Sequence, residues 1–581
     1  MLTFLQTIDD AAEFWSWLSD QKFVAVDTET TSLDVYDPAF QVRLVQFGSR
    51  DRAWVIPFER WKGLIDDALN RFDGTLVFHN SRYDVSALGA CGVKVPWHKI
   101  DDTMIALRLA EPNDSAALKS AAVRHVSANA DQSQAELHSA MRVNKWSWAT
   151  VPIDFAPYVF YAAADTVLTA RLYDTKPVRE AIASGVYTTE MELRALCTTM
   201  ERNGIRIDPD YCTDQADFLR AEARDIEEWA EHELGFSITS NQQLGKWLLT
   251  NHVPLSKATP GGAPSVDKDV LEEVVATLGT TALAGRVAQA ALQVRSNVKT
   301  ASTYFDKFVA LRDGDGYVHP DIETCTARTG RMSIRNPPLQ TLPRVTDDPE
   351  TKRVRRAVIP QTEDQVLVSC DSDQIELRLA AALSGSRAMM QAFRDSDDFF
   401  TTSMQDIYND PSIVKSDGRR AAIKTFWYAS LYGAGVAKMA ISAGVPEARI
   451  REVKNGVDWA YPEIGQMQRS IENAARENGG WVTNPYGRRL QAYEGKEYAA
   501  TNAVIQSTAA DVLKRAMVQL GQAGLEDLML IPVHDEILVS CDPADVDEVT
   551  HILVTTMTND DFDLTLTASA GPPSKTWADC K

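Results

Sequence analysis

The chain has 581 residues, 44% of them hydrophobic and 24% charged, with a formal net charge of −22 at pH 7. That length exceeds a single core and predicts roughly two to four domains. The acidic balance argues against a surface that is basic throughout, which phosphate binding would favour, but net charge is a sum and leaves room for a local basic cleft.

No apolar run approaches the ~18 residues of a membrane helix. The opening MLTFLQTIDDAAEFW lacks the basic start and small-residue cleavage site of a signal peptide. Seven cysteines, at 91, 197, 212, 325, 370, 541 and 580, are scattered without the spacing of a zinc or redox motif. A reducing cytoplasm is the expected location.

In chain order, FVAVDTET (23–30), VRLVQFG (42–48) and RAWVIPF (52–58) read as strands, followed by helical patterns. Residues from about 191 to 310 read as mostly helical, interrupted by TPGGAPS (259–265). A basic run ending in KRVRR (352–356) follows arginines at 328, 331 and 335. Beyond it, VLVSCDSD and MLIPVHDEILVS are strand-like, while GRRAAIKTFWYASLYG has helical spacing.

Two carboxylate sets stand out. In FVAVDTET, period two puts Asp27 and Glu29 on one strand face. TLVFHNSRYD ends an apolar run with Asn80, Tyr83 and Asp84, and YVFYAAADTVL sets Tyr161 and Asp165 four apart on a helix. Four carboxylates from three remote segments call for neutralisation, and two divalent cations would supply it while activating a water for attack on a phosphodiester. Asp101, Asp102 and Thr103 read as loop and N-cap chemistry. The second set joins Asp371, at the end of VLVSCD, to the VHDE turn carrying Asp535 and Glu536. Asp371 and Asp535 are expected to face each other across a sheet. Between them Arg420, Lys424, Tyr428 and Tyr432 recur every four residues and share a helix face suited to a nucleoside triphosphate. Lys424 is placed to give a proton to departing pyrophosphate.

The order DxE, NxxYD, YxxxD resembles a proofreading 3′–5′ exonuclease of the DEDD type with tyrosine, on a ribonuclease-H-like fold. DSDQIELR, RAAIKTFWYASLYG and VHDE resemble motifs A, B and C of the family A DNA polymerases. TARTGRMSIRNPPLQTLP (326–343) and QSTAADVLKRAM (506–517) match further family segments. The resemblance implies an α/β plus α+β multidomain chain: exonuclease (1–185), thumb (186–315), first palm part (316–390), fingers (391–500) and second palm part (501–581). It implies metal binding by Asp371 and Asp535 with Glu536 as an auxiliary carboxylate, and by Asp27, Glu29, Asp84 and Asp165, with Tyr161 orienting the water. Each site would take two Mg²⁺ ions, which Mn²⁺ could replace. Glu376 would be the gate against a ribose 2′-OH; Arg420, Lys424, Tyr428 and Tyr432 would meet the nucleotide. Arg331, Asn502, Gln506 and His534 would contact primer, template or minor groove.

The function implied is template-directed DNA synthesis with proofreading, by a monomer whose partners are primer–template DNA, deoxynucleoside triphosphates and phage or host replication proteins, with no membrane. An exonuclease-dominant enzyme or a non-catalytic DNA-binding factor is the alternative. Four departures bear on it. Ser372 and Asp373 stand where the family has tyrosine and serine, Phe400 where it has histidine, and Tyr498 where arginine is common. Tyr428 replaces a common phenylalanine, which in the family goes with easier acceptance of dideoxynucleotides. The early start of the exonuclease strand carries the expectation that no 5′ nuclease domain precedes it, an arrangement that resembles a bacteriophage replicative enzyme.

Overall fold

The computed structural model describes residues 1–581 apart from 343, 344, 346–348, 397, 432 and the side chain of 421. The N-terminal part is a six-stranded mixed sheet with helices packed against it. Its strands are β1 (Leu2–Phe4), β2 (Phe23–Thr30), β3 (Val42–Gly48), β4 (Ala53–Pro57), β5 (Thr75–Phe78) and β6 (Ile100–Asp102), in the order β1-β4-β3-β2-β5-β6. β2 runs antiparallel to β3 and parallel to β5, so it lies near the centre of the sheet. Its alternation is muted because both faces are covered: Val24, Ala25 and Val26 are all buried.

The segment 186–315, expected to be a thumb, is built mainly of helices, among them Gly185–Asn203, Pro209–Leu234 and Leu283–Thr300. TPGGAPS forms a tight reversal, with Thr259 N donating to Ala263 O at 2.7 Å. Next comes a four-stranded antiparallel sheet. In it Val366–Ser372 lies between Glu536–Cys541 and Ala568–Ala570, and Met529–Val533 forms the outer edge. The helix Ala500–Leu520 packs near this sheet, and a helical group over residues 387–477 has its own core around Phe399, Trp427 and Tyr461.

The two halves are joined by buried charge. Glu190, on Gly185–Asn203, receives the Lys514 ammonium and the Arg488 guanidinium, and Arg488 also forks onto Asp511. Asn484 completes the group, donating to Asp511 at 2.7 Å. Lys514 and Glu190 are both 0% exposed. Such a network holds only while complete, since a lone charge left in a dry interior costs more than the pair returns. Nearer the N-terminal sheet, Arg82 pairs with Glu201 at 2.8 Å and with Asp321, and the Tyr36 ring stacks on His319 at 3.5 Å.

Removing one member of the buried group is therefore expected to be severe. Lys514→Met should destabilise the fold by about 3 kcal/mol, the scale of a broken buried pair. The double variant with Glu190→Gln should regain most of that in urea unfolding; equal losses in both would show that the charges do not act as a unit.

Candidate active sites

The residues of the N-terminal set lie near one another. Asp27 and Glu29 lie two residues apart on β2, Asp84 in the first turn of the helix Ser81–Ala90, and Tyr161 and Asp165 on the helix Ala156–Tyr173. Two features bring these elements close. A Cβ at Gly48 would lie 2.5 Å from Thr166 Oγ1, so glycine at the end of β3 lets the Asp165 helix press onto the sheet. Asn80 takes a left-handed φ of 78° before Ser81–Ala90, and that turn is anchored on Asp102, which accepts from Ser81 N and Oγ at 2.7 Å. Asp102 also caps Thr103–Ala110, accepting from Met104 N at 2.8 Å. Its role is thus structural, as the sequence indicates.

Electrostatically this is an unstable gathering. Burial first, and then mutual repulsion, hold Asp27 and Glu29 well above the ordinary carboxylate range. Burial pushes Asp84 up to about 7, against a 2.7 Å hydrogen bond from Thr28. Burial also raises Asp165, although the Lys119 ammonium pairs with it. Lys119 lies 5.0 Å from the centroid of the Tyr161 ring. The phenol of Tyr161 is raised above its usual range by burial and by Asp165.

In the second set, the register puts Asp371 opposite Glu536, not opposite Asp535 as a simple facing pair would have it. The two residues His534 and Asp535 make the turn between Met529–Val533 and Glu536–Cys541, with His534 at φ 57°. Ser372 N donates to Asp535 O at 3.2 Å, which sets the Asp535 backbone beside the Asp371 strand end. Gln340 braces the turn from outside, accepting from His534 N at 2.9 Å and donating to Pro532 O at 3.0 Å. Glu536 is buried beneath, receiving the Trp577 indole N–H at 2.6 Å and the Ser369 hydroxyl. The Lys581 ammonium bridges the two acids, 2.8 Å from Glu536 and 3.2 Å from Asp371.

A cleft of about 490 Å³ is lined by Arg331, Gln340, Glu376, His534 and Asp535. Glu376 is paired there with Arg331. Asn502 and Gln506 sit on Ala500–Leu520, N-terminal to the Ala509, Ala510 and Leu513 side chains that line this cleft, and are not part of the lining. The expected nucleotide face is the helix Arg420–Leu431. Lys424 is exposed and Tyr428 half-buried, while Tyr432 falls outside the described residues. Arg420 is held by Asp398 at 2.6 Å and lies 5.4 Å from the Phe400 ring centroid. Where phenylalanine stands in place of the family's histidine, then, an aromatic face supports the guanidinium. Asp373 accepts from Ser569 on the neighbouring strand, so its added charge is hydrogen-bonded at the sheet edge.

Sequence reasoning missed Lys119, Ser369, Trp577 and Lys581. None belongs to a spaced pattern; each is identified only by what it touches. The donors offered by both acidic sets are oxygens alone, which suits a hard divalent cation, and a lysine ammonium already meets each set. Among the described residues no three His, Cys, Asp or Glu side chains stand at ready metal-ligating spacing, consistent with carboxylates that repel one another.

Family models match two parts of the chain: "3'-5' exonuclease" over residues 2–175 and "DNA polymerase family A" over residues 209–579. The DNA polymerase of Mycobacterium phage D29 is 31% identical over 540 residues, 90% of this chain and 87% of that protein. That of Mycobacterium phage L5 is 30% identical, over 89% and 86%. DNA polymerase I of Chloroflexus aurantiacus is 29% identical over 82% of this chain, which spans only 51% of that relative. The solved structure of the POL domain of Pol1 from M. smegmatis, in complex with DNA primer-template and dNTP, shares the fold with a TM-score of 0.81 over 100% of both chains at 22% identity. With a polymerase model covering well over half its length and phage relatives matched along nearly all of it, the chain belongs to DNA polymerase family A, with a 3′–5′ exonuclease domain preceding the polymerase.

Proposed function

We propose that the chain extends a primer 3′-OH with deoxynucleotides at Asp371 and Asp535, and removes mispaired 3′ ends at Asp27, Glu29, Asp84 and Asp165. The observation that carries this reading is the presence of two separate acidic sets on two separate sheets, each at a strand end. A DNA-binding factor without chemistry has no use for buried, mutually repelling carboxylates, which cost stability.

Both donor sets fit divalent cations, Mg²⁺ with Mn²⁺ as a substitute, at two per site. When bound, such ions lower the pKa of the attacking hydroxyl or water and neutralise charge on the phosphoryl oxygens. The side chains do the remainder. Arg420 and Lys424 meet the triphosphate, with Lys424 exposed and free to approach it and Arg420 set by Asp398 and Phe400. Glu376, buried and tied to Arg331, is a fixed wall where a ribose 2′-OH would project. Arg331 and His534, which line the same cleft, would contact the primer-terminal pair, and Asn502 and Gln506 the template or minor groove. At the other site Tyr161, held by Asp165 beneath it, orients the attacking water. A monomer on primer–template DNA suffices for these steps.

Partition of the two activities is the direct test, using a 5′-labelled primer on a longer template with Mg²⁺. Asp371→Ala should cut extension by roughly 10²–10³-fold or more, the scale of losing one preorganised electrostatic group, and leave shortening intact. Asp27→Ala should do the reverse. If either variant lost both activities, the assignment to two sites would be wrong.

Charge crowding at the exonuclease set gives a stability signature. A carboxyl whose folded pKa is raised stabilises the fold below its unfolded value and loses that contribution as pH rises through the folded one. For Asp84 this window runs from 3.8 to about 7. In metal-free protein, Asp27→Asn should raise the melting temperature by about 2–4 °C near pH 8, where the cluster is charged, and by almost nothing near pH 4. An equal gain at both pH values would rule out repulsion as its cause.

Tyr428→Phe should lower incorporation of dideoxynucleotides relative to deoxynucleotides by roughly two- to tenfold, since the hydroxyl is one hydrogen-bonding group of ordinary strength. Identical chain-termination patterns for the two proteins would sink that role for Tyr428.

A further inference from the structure

The polymerase carboxylates come with a cation of their own. Lys581 reaches them from a segment outside motifs A, B and C, and three features of that segment are built to deliver it. Trp577 is fully buried and donates to Glu536. Lys575 ties the segment to the strand Val366–Ser372 from its outer end, donating to Glu363 O at 2.6 Å and Gln365 O at 2.7 Å. Cys580 is buried, its Sγ donating to Leu367 O at 3.3 Å. Gly571 lies so close to it that a Cβ there would be 1.6 Å from Cys580 O. A segment anchored at 575, 577 and 580 fixes the backbone from which the Lys581 side chain reaches the acids.

We propose that Lys581 is a positioning residue of the polymerase site: its ammonium occupies the place of a divalent cation between Asp371 and Glu536, holds the two acids in register while no metal is bound, and gives way as metal enters. The inference rests on the reading of Asp371 as a metal ligand.

The argument is one of charge and position. Asp371 and Glu536 are opposed across adjacent strands, so two acids face the same small volume. Glu536 is 2% exposed and cannot turn to solvent. Arg355 supplies positive charge from below, buried against the Trp577 ring with its guanidinium 4.8 Å from the centroid. Lys581 contacts both acids directly. A flexible ammonium is suited to such a post: it is a compact point charge on a long stem and can swing out without rearranging the backbone. The lysine and a metal ion would then compete for one position, and removing the lysine should favour the metal.

The test is Mn²⁺ binding by the full chain, read by electron paramagnetic resonance, in an Asp27→Ala background that weakens the exonuclease site. Lys581→Met should bind Mn²⁺ about fivefold tighter or more, the lower end of ordinary coupling between two ligands. It should also melt at lower temperature than the parent without metal and at the same temperature when Mn²⁺ is saturating. Lys581→Arg should return both readouts toward the parent. Unchanged or weaker Mn²⁺ binding in Lys581→Met would overturn the proposal, as would a melting difference that persists at saturating Mn²⁺, because a packing role is indifferent to the metal. Asp371→Ala separates the two readings. If it loses the Mn²⁺ site while Lys581→Met changes nothing, only the lysine inference fails. If it binds Mn²⁺ as the parent does, the assignment of Asp371 itself fails.

Discussion

Carboxylates gathered out of water repel one another, and in this chain that repulsion is the constraint from which the sites take their form. Asp27, Glu29, Asp84 and Asp165 pay for proximity with raised pKa values. Strand ends and helix starts are the rigid places from which such groups can be held against their own field. In both sites a lysine ammonium relieves part of the charge, Lys119 at Asp165 and Lys581 between Asp371 and Glu536. The arrangement keeps each cluster foldable without giving it so much compensation that a divalent cation would be unwelcome.

A second consequence concerns how the parts are fastened. The acids stand on two separate sheets, and those sheets are anchored by interactions that resist sliding. Glu190, Lys514, Arg488 and Asp511 form a dry ionic knot between the helix Gly185–Asn203 and the helix Ala500–Leu520 behind the strands that carry Asp371 and Glu536. Arg82 and the Tyr36–His319 stack fasten the exonuclease side. Charged contacts of this kind specify a relative position, where an apolar interface would tolerate several.

The departures from the family pattern look different once their neighbours are known. Phe400 removes a polar contact but provides the face on which Arg420 rests, and Asp398 fixes that guanidinium from the other side. Asp373 adds a negative charge near Asp371, and Ser569 hydrogen-bonds it on the neighbouring edge strand. Tyr498 is half exposed beside Gly433, lining a cavity at the base of the helix Arg420–Leu431. Nothing in the structure explains Ser372.

Much of the chemistry was legible in sequence because it is local. DxE on a strand, YxxxD on a helix and an HDE turn between apolar runs each place side chains by backbone period alone, and the structure has these residues on a strand, a helix and a turn respectively. Family motifs extended that reading to Glu376, Arg420 and Lys424. What the sequence could not determine was register and long-range contact. Asp371 pairs with Glu536 because of how two strands 165 positions apart align, and no pattern within either strand encodes that alignment. Lys119, Trp577 and Lys581 are single residues with no periodic signature, brought to the acids by helices and anchors elsewhere. Residue types at short spacing marked which groups are candidates for the chemistry; only the packed chain decided which cations and donors hold them, because charges meet through space and not along the sequence.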